Sequence, residues 1–177
     1  MEVHVSEERV ASFDRVVADL QRQISEQEEA LYSSRVLEEA RHPRNLGMML
    51  DPDGHAALSG PCGDTMEIFL RLNGAQIELA AFMTDGCAPT VACGSMLTTM
   101  VRGKTLEQAA AIDAGDLIIA LDGLPPEHMH CATLAVSTLR EAISHSRQEG
   151  DEPLAGAADL GQAVAEQTDE SDSRGAI

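Results

Sequence analysis

Three cysteines sit in short segments suited to presenting a thiolate: Cys62-Gly63-Asp64, Gly86-Cys87 and Pro125-Pro126-Glu127-His128-Met129-His130-Cys131. With the adjoining Asp64 and His130 they offer three sulfurs, one carboxylate and one imidazole, a donor set for soft-metal or iron-sulfur chemistry. Zinc fingers use tight C-x2-4-C pairs, whereas here 24 residues lie between Cys62 and Cys87 and 43 between Cys87 and Cys131. The fold, not the local sequence, must bring them together.

Cys87 precedes a helix opening at Pro89-Thr90, and Cys131 falls in the first turn after Pro125-Pro126. Free N–H groups and the helix dipole favour anions there, so both thiols are expected to ionise more readily than free cysteine. In Cys62-Gly63-Asp64 an extended backbone directs side chains i and i+2 the same way, which lets sulfur and carboxylate reach one ion. Cys93, inside a helix six residues after Cys87, reads as core packing, a relay thiol and an alternative ligand being the other readings. His128 reads as a surface residue, Asp85 as a turn residue, and His4, His42, His55 and His145 have no metal-like context.

The elements that position these residues follow from periodicity. Val10, Phe13, Val17, Leu20, Ile24 and Leu31 recur at helical steps between Ser6 and Leu31, which predicts an amphipathic helix packed on its own domain; pairing with a partner or a second copy is the other reading. A short helix from Ser33 to Arg41 stops before Pro43. Met66, Ile68, Leu70 and Leu72 alternate with polar residues and run into Asn73-Gly74, a hairpin signal. The return strand, Gln76 to Thr84, is expected to alternate Ile77, Leu79, Ala81 and Met83, and a third strand near Ala56 to Ser59 is weakly signalled. Helices are predicted from Pro89 to Gly103, from a Thr105-x-x-Gln108 capping box to Ile112, from Asp113 or Asp116 to Leu121, and from Glu127 to Ser146 with Leu134, Leu139 and Ile143 inward. Helices, then a hairpin-built antiparallel sheet, then helices, define an α+β class.

Composition bounds the rest. With 177 residues, 44% of them hydrophobic, one domain plus tails is expected, and the absence of Trp, with one Tyr and three Phe, leaves no platform for stacking bases. A net charge of -18 argues against nucleic acid and anionic membranes as partners. No stretch has the length of a membrane span or the look of a signal peptide, so a cytoplasmic protein is expected, its cysteines ligands or reactive thiols rather than disulfides. Beyond Gln148, eight acidic residues and one Arg among Ala, Gly and Ser predict a disordered acidic tail.

Taken in order, Tyr32-Ser33 with Pro43-Arg44-Asn45-Leu46-Gly47, Cys62-Gly63-Asp64, Gly86-Cys87, Gly103-Lys104-Thr105-Leu106 and Leu124-Pro125-Pro126 through His130-Cys131 resemble the NifU/IscU-type iron-sulfur cluster assembly scaffold family. The resemblance covers about residues 31–147, leaving a helical extension at 1–30 and the tail at 148–177. It implies a small three-stranded antiparallel sheet with helices packed against it. Cys62, Cys87 and Cys131 are then the thiolate ligands, with Asp64 and His130 completing or tuning the site. It further implies a scaffold rather than a turnover enzyme, with no catalytic residue. On it a labile [2Fe-2S] cluster is built from iron and cysteine desulfurase-derived sulfur and passed to apo iron-sulfur proteins, with an Hsp70-type chaperone as a further partner and a monomer or weak dimer as the assembly. The chain departs from the pattern with Ala88-Pro89-Thr90 after Cys87, with Cys93, and with His128 where the family usually carries a lysine. Two other readings use the same ligands: a zinc-containing acceptor of persulfide sulfur, zinc then occupying the cluster-free site, and a zinc hydrolase, which lacks an obvious general base.

Overall fold

The computed structural model describes residues 7–146, with side chains described from residue 13 onward; the expected acidic tail lies outside the described residues. Six helices and three strands follow in the order α1 (Glu7–Leu31), α2 (Ser34–Arg41), β1 (Gly54–Ser59), β2 (Thr65–Asn73), β3 (Gln76–Thr84), α3 (Ala88–Val101), α4 (Leu106–Ala110), α5 (Ala114–Ala120) and α6 (Met129–Ser144), the last entered through a 3-10 turn at Pro126–His128. The sheet is an antiparallel meander, β1-β2-β3, turned at Gly74, whose φ of 59° a glycine adopts without strain. Capping chemistry sets the short helices: Ser33 receives the Val36 N–H, and Thr105/Gln108 and Asp113/Asp116 close reciprocal capping boxes. Asp113, not Asp116, therefore begins α5.

One face of the sheet carries the core. Met66, Ile68 and Leu70 of β2 are fully buried, α6 covers β1 and β2, α3 covers β3, and α2 and α5 flank them. The expected alternation of β3 holds only at Ile77. Arg71 pairs with Leu79 but Leu72 pairs with Ile77, which leaves Glu78 as an extra residue. Such a bulge exchanges the two faces of the strand beyond it. Ala80 and Phe82 consequently point inward, while Leu79 and Met83 are exposed.

α1 is helical as expected, but its apolar stripe is not buried. Phe13, Leu20, Ile24 and Leu31 remain more than half exposed, with Val17 only partly covered. The helix meets the body at its C-terminal end, where Arg41 of α2 pairs with Glu28 at 2.9 Å. Stripe periodicity thus reports a helix here without reporting what covers it.

Two loop segments strap the outer edge of β3. The Leu46 backbone bridges Phe82, with Gly47 N–H donating to Phe82 O at 2.8 Å and Phe82 N–H to Asn45 O at 3.0 Å. At the other end Gly103 N–H donates to Ile77 O at 2.8 Å and Ile77 N–H to Lys104 O at 2.9 Å. The first strap is latched from below: buried Glu39 accepts from the Arg44 guanidinium and from Ser95 Oγ at 2.5 Å, while Ser95 Oγ accepts the Arg44 N–H at 2.8 Å.

Candidate metal centre

Three chain segments meet at one end of the molecule, beyond the β1-β2 turn, the end of β3 and the start of α6. Cys62 and Asp64 lie on the turn Gly60–Asp64, closed by Gly60 N–H to Asp64 O at 2.8 Å and Gly63 N–H to Gly60 O at 3.1 Å. The extended geometry expected for Cys62-Gly63-Asp64 is therefore replaced by a turn. Gly63 is needed for its φ of 90°, since a β-carbon there would meet nothing. At Gly86 the requirement is space: a β-carbon would lie 2.6 Å from Asp64 Oδ2 and 2.8 Å from Thr90.

Cys87 caps α3 with its backbone N–H donating to Asp64 Oδ2 at 3.3 Å. Thr90, three residues into the site, is fully buried, and its hydroxyl donates to Asp64 Oδ2 at 2.8 Å while lying 3.4 Å from Cys87 Sγ and 3.3 Å from Cys131 Sγ. His130 Nε2 stands 3.6 Å from Cys131 Sγ. Cys62, Asp64, Cys87, His130 and Cys131 are thus brought into one neighbourhood, Cys62 and Cys87 exposed and Cys131 buried. The Thr90 hydrogen bond, followed by the Cys87 N–H, holds the Asp64 carboxyl below its ordinary value.

Two expectations are overturned here. Burial pushes the Cys131 thiol up to about 11 rather than down, with the neighbouring Cys87 and Cys62 adding to it and the Thr90 hydroxyl opposing it. Desolvation outweighs the helix terminus at this sulfur. His128, expected at the surface, is half buried: its Nε2 lies 3.1 Å from Tyr32 Oη, its Nδ1 is buried without a hydrogen-bond partner, and one ring nitrogen falls within 4.8 Å of ligand atoms of Cys87 and Cys131. Cys93 sits in the core as expected, its thiol raised by burial.

Reasoning from sequence missed Thr90 and His128. Thr90 was legible only as a helix opener beside Pro89, and His128 gave a signal only as the residue standing in the lysine position of the resembled motif.

The donors suit a soft or borderline cation: thiolate sulfurs, imidazoles and one exchangeable carboxylate, with one ring nitrogen of His128 close to two of the sulfurs. A three-stranded meander covered by helices on one face, with such donors grouped at its end, defines an α+β domain with a candidate metal centre. Residues 31–151 match the model of the NifU-like N terminal domain, and the chain belongs to that family. Iron-sulfur cluster assembly scaffold protein IscU 1 of Archaeoglobus fulgidus is 42% identical over 114 residues, which cover 64% of this chain and 74% of the relative. Iron-sulfur cluster assembly scaffold protein IscU of Escherichia coli K12 is 36% identical over 118 residues, 64% of this chain and 91% of the relative. The solved N-terminal part of a nitrogen-fixing NifU-like protein from Brucella abortus superposes with a TM-score of 0.51 at 20% identity, over 64% of this chain and 92% of that one, a likeness of fold.

Proposed function

We propose that this protein is a scaffold on which a labile [2Fe-2S] cluster is assembled from iron and desulfurase-derived sulfur and then handed to apo-proteins. The observation that carries the reading is the convergence of Cys62, Asp64, Cys87 and Cys131 from distant chain segments onto a partly open end of the molecule. Support comes from relatives whose names describe cluster assembly scaffolds. Iron and sulfide are the cargo. Cys62, Cys87 and Cys131 are the thiolates that hold it, and His130 stands ready beside Cys131 as a nitrogen donor. Asp64, a hard oxygen ligand among sulfurs, supplies the bond easiest to open, and its place beside the exposed Cys62 and Cys87 suits release. Such a protein binds and passes on; it needs a cysteine desulfurase and acceptor proteins as partners and no catalytic residue of its own. An Hsp70-type chaperone and a cytoplasmic setting fit the same role; among the described residues no helix is long and apolar enough to cross a membrane.

The test is anaerobic reconstitution with ferrous iron, cysteine, a desulfurase and a dithiol reductant that supplies the two electrons turning each persulfide sulfur into sulfide. Bound iron with acid-labile sulfide and charge-transfer absorption is expected, and a colourless product holding only zinc would overturn the reading. Cys62→Ser, Cys87→Ser and Cys131→Ser are each expected to abolish stable cluster formation, whereas Cys93→Ala retains it. Asp64→Ala is expected to hold the cluster longer and to transfer it more slowly to apo-ferredoxin.

A further inference from the structure

His128 belongs to neither the expected ligand set nor the ordinary surface. Its two ring nitrogens have different fates. Nε2 faces Tyr32 Oη at 3.1 Å, and the rings are tilted against each other with centroids 5.6 Å apart. Nδ1 is shut away from solvent with nothing to bond, a position that costs free energy for a polar atom left unsatisfied. A buried nitrogen lacking a partner in an otherwise satisfied site calls for an explanation. A cation supplies one: one ring nitrogen of His128, Cys87 Sγ and Cys131 Sγ lie within 4.8 Å of one another, and among the described residues no other group of three His, Cys, Asp or Glu donors is so close.

We propose that His128 is a metal ligand, closing with Cys87 and Cys131 a three-donor site that captures one divalent ion of borderline softness before any sulfide arrives. When His128 Nε2–H donates to Tyr32 Oη, the lone pair stays on Nδ1, the tautomer a metal requires, and the phenol fixes the plane of the ring. Tyr32 is thus a positioning residue, reaching the site from the junction of α1 and α2. His130, whose Nε2 lies 3.6 Å from Cys131 Sγ but which is outside that group of three donors, is left to the later, sulfide-containing stage. The ion's identity as the iron destined for a cluster rests on the scaffold reading; the three-donor site itself does not.

Cobalt(II) is the probe, titrated anaerobically into the full-length metal-free chain with no sulfur source and no desulfurase. Wild type is expected to take up one equivalent, with thiolate-to-cobalt charge transfer and an imidazole contribution in X-ray absorption. Tyr32→Phe, which loses the orienting group, is expected to weaken binding by about tenfold. His128→Ala should weaken it further and remove the imidazole contribution, while His130→Ala leaves the first equivalent as in wild type. His128→Asn, which keeps a hydrogen-bonding group for Tyr32, guards against a folding defect: with wild-type circular dichroism it should bind as poorly as His128→Ala. Wild-type cobalt affinity in both His128 variants, or loss of the imidazole contribution in His130→Ala, would overturn the proposal. Neither result bears on whether a cluster forms in the separate reconstitution.

Discussion

Thr90 has one proton to give and three neighbours placed to take it. The short bond to Asp64 Oδ2, 2.8 Å, and the depressed carboxyl of Asp64 direct that proton to the carboxylate. The contact with Cys131 Sγ at 3.3 Å is the longer alternative for the same proton, and donation there opposes the rise of a thiol that burial pushes up to about 11. A metal takes the thiolate, so an ion bound at Cys131 must displace a proton. Below about pH 11 metal and proton compete, and raising the pH strengthens binding, by up to about tenfold per unit for this one group. Cobalt affinity measured between pH 7 and 9 should rise accordingly, and calorimetric heats should depend on the ionisation enthalpy of the buffer. Thr90→Val, which keeps the shape and removes the hydroxyl, should move the Asp64 carboxyl back up toward its ordinary value, as followed by carboxyl NMR. The candidate cysteines were readable from their Gly and Pro neighbours. Thr90 was not, because a hydroxyl beside a helix start looks the same whether it caps, faces water or enters a metal site.

At the scale of the element, α3 lies almost flush on β3 because Gly94 has no side chain: a β-carbon there would overlap the ring of Phe82, which is fully buried. Gly94→Ala must push the helix or the ring aside, and a loss of about 1–3 kcal/mol is expected in chemical denaturation. The sequence marks Gly94 only as a glycine inside a helix, whereas its reason is in the partner strand. The β3 bulge was hidden for a similar cause. Alternation is a property of one strand, but the extra residue Glu78 exists only relative to β2. The Thr105/Gln108 capping box and the hairpin glycine are local and were legible as such, whereas the Asp113/Asp116 box was read only as two possible helix starts. α1 shows the limit of periodicity: its stripe is exposed, so removal of residues 1–24, which spares Glu28 and Tyr32, should shift Tm by less than about 2 °C. A larger fall would mean that the stripe is covered in solution.

For the molecule as a whole, the segments shared with the resembled family fall into two jobs. Cys62-Gly63-Asp64, Gly86-Cys87 and His130-Cys131 gather at the candidate metal centre, while Asn45-Leu46-Gly47 and Gly103-Lys104-Thr105 line the outer edge of β3. Reading order along the chain gave no hint of that division, since the straps carry no chemistry and take their meaning from a strand distant in sequence. Their presence has a consequence for behaviour at high concentration. The outer edge of a three-stranded sheet is a row of free donors and acceptors, a template for another copy's strand. Here the straps occupy the N–H and C=O of both Ile77 and Phe82, so a second chain meets an edge already paired at two places. Arg44→Ala leaves the buried Glu39 without its cation and loosens the upper strap, at a cost of about 1–3 kcal/mol. Beyond that loss, light scattering at rising protein concentration should reveal association that the wild type resists, because the variant uncovers Phe82 for an intermolecular partner. These segments thus guard the sheet against its own copies, a part that needs no contact with the candidate metal centre.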